Sequence, residues 1–354
     1  MAYTNIDDPS AHFQAFTYTG NQSSRDITLD GNSDLQPDLY WYKARNSNHH
    51  YWVDSSRGTT KYIYSSLNNA EATVASAYVT SFNTNGFNVG GGDSGTNAGG
   101  ISFANWVWKA NGGTTSTNTD GGITTTVQAN TDAGFSIVTY AGTGTSNTIG
   151  HGLGVTPDMM IVKNRSAAYN WAVYHKDSNA SPEDYYAQLN TTNSFSLATD
   201  IFGTSPATSS VIGVKNFNET NASGSNYVAY CFASKQGYSK FGKYVGNGNA
   251  NGSFVYTGFK PAFVMIKPNV AGRNWQIIDN SRDPHNAMDR WLQPNLSASE
   301  FDGSTASVYM DFLSNGFKLR TDNVSWNQSA QTIIYMAFAE NPFTTSTGIP
   351  TTAR

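Results

Sequence analysis

One pattern limits what this chain can fold into: a string of strand-like segments that recurs three times at nearly constant spacing. Each copy opens on an aromatic segment ending in Tyr-x-Gly. These are Phe16-Thr17-Tyr18-Thr19-Gly20, Val138-Thr139-Tyr140-Ala141-Gly142 and Lys243-Tyr244-Val245-Gly246. A polar loop follows, then an apolar run that begins at Pro37, Pro157 or Pro261 and ends at Lys43, Lys163 or Lys267. From Tyr to Pro is 19, 17 and 17 residues, and from Pro to the next Trp (Trp52, Trp171, Trp275) is 15, 14 and 14. Each copy closes on alternating aromatic and small residues, as in Tyr227-Val228-Ala229-Tyr230-Cys231-Phe232. Recurrence at a fixed period means one supersecondary unit used repeatedly.

The unit reads as β-structure. Thr, Tyr, Phe and Val between Gly- and Asn-rich turns favour strands over helices. Charged residues are only 13% of the 354, so long charged helices are excluded, while 13% aromatics supply enough apolar surface to order the chain. Strand signals every 8–12 residues point to sandwiches or jelly rolls. The sequence therefore predicts an all-β protein of three tandem β-sandwich or jelly-roll-like repeats. The boundaries are an N-terminal arm at 1–15, repeats at 16–109, 134–235 and 236–345, a Ser/Thr/Gly-rich linker at 110–133 and a tail at 346–354. The linker reads as flexible or extended, and the arm as a candidate docking segment. Asn85-Gly86 and Asn315-Gly316 between apolar flanks predict hairpins in the first and third copies, because both residue types tolerate positive φ. The second copy lacks this dipeptide, so its edge should differ. A short helix is expected near Asn286–Arg290.

Charge and cysteine usage exclude several function classes. The net charge of −4 offers no basic face for nucleic acid, and no polybasic cluster or 18-residue apolar run suits a membrane. The single cysteine, Cys231, excludes an internal disulfide and a Cys-based zinc site. The six histidines form no metal-type spacing, and no phosphate-cradling glycine motif occurs in a strand-to-helix context. No metal or cofactor is expected. The N-terminal segment has neither the basic start nor the apolar core of a secretory signal.

Candidate chemistry is sparse. Gly92-Asp93-Ser94-Gly95, with His49 and His50 upstream, matches the string around a serine nucleophile, but it also reads as a Gly-rich hairpin tip. Asp54, Asp93, Asp279 and Glu300 could supply carboxylates for glycan cleavage, yet nothing in the sequence pairs them. No catalytic residue is assigned, and the chain reads as a non-enzyme. One constellation recurs: Lys43, Arg45 and Trp52; Lys163, Arg165 and Trp171; Lys267, Arg273 and Trp275. Asp54 with Arg57, and Asp279 with Arg282, follow in two copies. Trp52, Arg57, Trp171, Trp275 and Arg282 are thus candidate ligand or interface residues, with Trp stacking on a sugar and Arg and Asp binding its hydroxyls. The alternative is a hairpin held by one Arg–carboxylate pair over a core Trp.

Several longer strings resemble a family of marine bacteriophage proteins. They are Ile6-Asp7-Asp8-Pro9 with His12-Phe13, Gln36-Pro37-Asp38-Leu39 and Trp106-Val107-Trp108-Lys109-Ala110-Asn111-Gly112-Gly113. Gly237-Tyr238-Ser239-Lys240-Phe241-Gly242, Leu313-Ser314-Asn315-Gly316-Phe317-Lys318 and Tyr335-Met336-Ala337-Phe338-Ala339-Glu340-Asn341-Pro342-Phe343 complete the set. Such strings occur in virion proteins of cyanophages and other marine tailed phages, often in proteins described as tail fibres. The resemblance spans nearly the whole chain and implies a virion protein made in the host cytoplasm. It implies a tail fibre or appendage contacting the host surface, with a capsid decoration protein and a polysaccharide depolymerase as alternatives. Expected partners are other tail or capsid proteins, further copies of the chain in a trimer, and a host-surface glycan. No nucleic-acid partner and no membrane insertion are expected.

Overall fold

The computed structural model describes residues 4–74, 78–91, 95–203, 205–305 and 307–352. The protein is all-β. Among the described residues the sole α-helix is the four-residue Val324–Asn327. The strand Leu39–Ala44 shows why. Its six residues are all buried, with Leu39 and Trp41 on one face and Tyr40 and Tyr42 on the other. Side chains alternate across a strand, so a run that is apolar at every position is stable only where both faces are covered. Met159–Asn164 and Phe259–Pro268 are buried throughout in the same way.

Three large antiparallel sheets provide that double cover. The first has the order Phe13–Thr19, Ser102–Trp108, Leu39–Ala44, His50–Asp54, Lys61–Tyr64, Ala72–Thr73. In the second, Phe135–Ala141, Asn226–Phe232, Met159–Asn164, Ala172–His175, Tyr185–Gln188 and Ser196–Leu197 lie in the same relative order. The third has Ser239–Val245, Thr332–Pro342, Phe259–Pro268 and Gln276–Asp279. On its outer face each sheet packs against a small one. Ile27, Val79, Phe87 and Val89 cover Tyr40, Tyr42 and Val53; Ile149, Ile212 and Val214 cover the second sheet; Val255, Phe312 and Phe317 cover the third.

The inner faces of the three large sheets meet in a single core. Trp41, Trp52, Trp106 and Trp108 from the first join Ile161, Trp171, Tyr230 and Phe232 from the second and Phe263, Trp275, Met336 and Phe338 from the third. Trp108, Phe232 and Phe338 hold matching places in the ladders, opposite Leu39, Met159 and Phe263. Their rings form a triangle with centroid separations of 6.4, 5.5 and 6.1 Å. The sheets are therefore walls around one shared interior rather than beads on a string.

Several expectations need correction. Residues 110–133 are not a flexible linker. Ser116–Asn118 and Thr125–Asn130 are strands that extend the second large sheet beyond Phe135–Ala141. The Asp38 carboxylate accepts from the backbone N–H of Ala110, Gly112 and Gly113, and the Gln128 amide binds Ser55 and Ser56. These bonds satisfy the polar groups of a turn whose glycines have φ of +61° and +80°.

The N-terminal segment is not a free docking arm either. Ile6 and Phe13 belong to the central core, Phe13 stacks on Phe338 at 5.0 Å, and Thr4 donates to the Gln236 carbonyl at 2.8 Å. In the expected helix near Asn286–Arg290, the chain instead forms a bridge at Met288 and a short strand at Arg290–Trp291. Apolar Met288 and Trp291 are drawn into the third core, and this overrides local helical preference.

Hairpins do form at the two Asn-Gly sites, pairing Val79–Asn83 with Gly86–Val89 and Met310–Leu313 with Gly316–Leu319. Gly86 has the expected positive φ, +105°, whereas Gly316 is not in that region, and both glycines meet a second constraint. In each case the glycine is the first residue of the return strand, and a Cβ there would lie 2.0 Å from the carbonyl of Ile27 or Val255 on the next strand. Close approach of a third strand demands glycine at both sites. The corresponding small sheet in the second third of the chain has only two strands, Asn147–Gly150 and Val211–Val214.

Candidate functional site

The recurring Lys–Arg–Trp–Asp constellation lies at the junctions between sheets, with its Lys, Trp and Asp members buried and Arg45, Arg165 and Arg273 half-buried. Trp52, Trp171 and Trp275 are at most 1% exposed. The Trp171 indole N–H donates to the Tyr64 carbonyl of the first sheet, and that of Trp275 to the Gln188 carbonyl of the second. Arg57 and Arg282 are buried, each paired with the aspartate three residues before it. Each also meets a glutamate shared with an arginine of another sheet. Glu71 bridges Arg57 and Arg165 at 3.0 and 2.8 Å; Glu300 bridges Arg282 and Arg45 at 2.9 and 2.6 Å. Burial pushes the Glu71 carboxyl up, but the Arg165 hydrogen bonds and the Arg57 charge outweigh it and hold the acid below its usual range. These five residues are packing and junction groups. No face of the three tryptophans is open to stack on a sugar, which corrects the ligand reading.

Cross-sheet hydrogen bonds follow a cycle. Asp54 accepts from the Tyr230 hydroxyl at 2.7 Å, joining the first sheet to the second. Asp279 accepts from the Trp106 indole at 3.0 Å, joining the third to the first. The position matching Trp106 and Tyr230 in the third sheet is Met336, which has no such donor. There the second sheet supplies His175 instead, and its Nε2 lies 3.2 Å from the Tyr335 carbonyl. A carbonyl only accepts, so Nε2 carries the proton, while Nδ1 accepts from the Asp177 N–H at 3.1 Å. Burial holds this neutral imidazole down to about 4.

The three lysines ending the Pro strands are buried as well. Lys163 donates to the carbonyls of Asn68, Asn164 and Tyr169, and Lys267 to those of Thr192 and Arg273. Lys43 caps Ala44 and Asn46. Burial lowers all three ammonium groups to about 7.

The other sequence candidates do not assemble. Asp93 and Ser94 lie outside the described residues. His50 is buried and accepts from the Trp41 indole at 3.0 Å, and His49 meets Ser66 at 3.0 Å. Asp54, Asp279 and Glu300 are all engaged by arginines. Among the described residues no group of three His, Cys, Asp or Glu could hold a metal, and no helix is long and apolar enough to cross a membrane. Burial pushes the Cys231 thiol up to about 12, which removes its reactivity.

An exposed constellation that sequence reasoning missed lies along the edge of the third sheet. Ser239–Val245 and Phe254–Tyr256 are edge strands of the third large and small sheets. Alternation buries Tyr244 and Val255 and turns Lys243, Val245, Phe254 and Tyr256 outward. With Lys176 and Asp177, in the turn after Ala172–His175, Lys243, Tyr244, Phe254 and Tyr256 line a groove of about 540 Å³. A neighbouring hollow lined by Lys176, Gln236, Lys240 and Tyr256 continues it. The Lys240 ammonium sits 5.2 Å from the Tyr256 ring centroid and donates to the Tyr256 carbonyl at 2.8 Å. Lys176 pairs with Asp158 at 2.8 Å, and Lys243 lies 3.8 Å from Asp177. Burial and the charge of Lys176 both lower the Lys240 ammonium. The arrangement can hold a ligand with an apolar face and a negative charge. It shows no nucleophile–base pair.

Fold and site thus define an all-β protein whose recurring Trp, Lys and Asp side chains are engaged in its interior. The chain belongs to the family described as domain of unknown function DUF7483, whose profile matches residues 8–342. No curated protein and no solved structure matches it.

Proposed function

We propose that the protein is a structural component of a tailed-phage particle, a tail fibre or appendage that contacts the host surface. The observation that carries this reading is the contrast between recurring Trp, Lys and Asp side chains sealed inside and a groove that leaves two aromatic rings open. Nearly every recurring charged or aromatic group closes the junctions between sheets, while Lys176, Lys240, Phe254 and Tyr256 face solvent. A rigid scaffold presenting aromatic and polar contacts suits attachment, since ordered side chains lose little entropy on binding. The long strings resembling marine phage virion proteins support a virion location. Several copies on one particle would combine weak individual contacts through effective concentration, and a trimer is the assembly proposed.

Mass spectrometry of purified particles, scaled to the portal protein, tests the reading. A small multiple of three or six copies per particle is the expected result. A count near that of the major capsid protein assigns the chain to capsid decoration. Absence from the particle overturns both. Release of reducing ends from host envelope by the purified chain would move a depolymerase to the front.

A further inference from the structure

Building on the attachment reading, we propose that the groove between Lys176, Lys240, Lys243, Phe254 and Tyr256 binds an acidic polysaccharide. The aromatic side of the argument comes from exposure. Phe254 and Tyr256 are each 47% exposed, and they are the two aromatics among the large apolar side chains left open in the described residues. They stand two apart on one strand, so both rings point to the same side. Rings spaced along a strand match the apolar faces of successive sugars in an extended chain.

Charge identifies the sugar class. Three lysines converge in a chain whose net charge is −4. Counting Asp158 and Asp177 against them leaves one positive charge uncompensated, centred on Lys240. A neutral glycan would leave the repulsion between Lys176 and Lys240 in place, whereas a carboxylate or sulfate relieves it. Nucleic acid is disfavoured, because one uncompensated charge is far short of a basic face. Strand addition by a second copy is disfavoured by lysines on the edge strand itself, which protect such edges from pairing.

The test uses the full chain and three polymers: polygalacturonate, a sulfated carrageenan and neutral dextran. Isothermal titration is expected to show binding to at least one of the acidic polymers, weakened by raising the salt, and none to dextran. Tyr256→Ala is expected to weaken binding about tenfold and Lys240→Gln about fivefold, with cooperative thermal unfolding retained because Tyr256 is 47% exposed and Lys240 half-buried. Equal binding of dextran, no binding of either acidic polymer, or wild-type affinity in both variants would overturn the proposal. Dimerisation of the wild type that is lost in these variants would also overturn it, in favour of edge pairing. Either failure leaves the copy number on the particle untouched, so the attachment reading and the ligand class stand or fall separately.

Discussion

The Asp279 carboxylate accepts from the Trp106 indole N–H at 3.0 Å while its other contacts hold Arg282, so one buried acid couples a charge pair in the third sheet to the aromatic core of the first. Both partners of the ion pair are fully shielded from solvent. Removing Asp279 leaves the buried Arg282 with Glu300 alone, a carboxylate already shared with Arg45.

Asp279→Asn is therefore expected to cost about 3–5 kcal/mol. Urea denaturation followed by tryptophan fluorescence checks this. A loss below about 1 kcal/mol would show that the pair is not buried as described.

The triangle of Trp108, Phe232 and Phe338 makes a second prediction. Phe338→Ala opens a cavity bordered by all three sheets and is expected to cost about 3–5 kcal/mol. Because one core serves the three sheets, fluorescence and circular dichroism should report a single coincident unfolding transition. Separate transitions would show that the sheets are independent domains.

Acid should weaken the fold through His175. Its native state holds the ring neutral down to about pH 4, whereas an unfolded histidine takes up a proton near 6.5. Between those values the unfolded chain binds more protons, so stability falls as pH drops from about 6.5 to about 4. His175→Gln keeps a donor for the Tyr335 carbonyl and is expected to flatten this slope. An unchanged slope would assign the acid sensitivity to other groups.

Lys267 acts in the opposite range. The native ammonium gives up its proton near 7, and the unfolded one near 10.5. The unfolded chain again binds the extra proton between these values, so stability rises from pH 7 to about 10. Lys267→Met is expected to reduce that rise, measured by denaturant titration at pH 7 and 9. A rise as large as that of the wild type would exclude this lysine as a source.

Gly316→Ala tests why the hairpin glycines are needed. A Cβ 2.0 Å from the Val255 carbonyl forces the Phe254–Tyr256 strand away from its neighbour. The expected cost is about 3 kcal/mol, with loss of the shape of the lysine groove. Thermal denaturation, with polymer titration alongside, checks both effects.

Much of the local structure was legible because strands impose a two-residue period on the sequence. The runs from Pro37, Pro157 and Pro261, the aromatic closing strands and the two hairpins each announce themselves within a dozen residues. The 110–133 stretch was misread because Ser, Thr and Gly suit an exposed linker and an edge strand equally well. Only the Phe135–Ala141 edge and the Asp38 carboxylate, supplied from elsewhere, decide between them.

The candidate site was not legible for the same reason. Lys240 and Tyr256 come from separate strands and Lys176 from a turn, and Ser253-Phe254-Val255-Tyr256-Thr257 does not say which face is buried. By itself the sequence determined that the chain is β-structure with aromatic strands at recurring intervals, because periodicity and turn chemistry are local. Tertiary structure alone decided that the recurring Trp and Lys, with Arg57 and Arg282, face inward and that Phe254 and Tyr256 face out. Burial depends on which sheet covers which face, and that is settled only when the three sheets close around their common core.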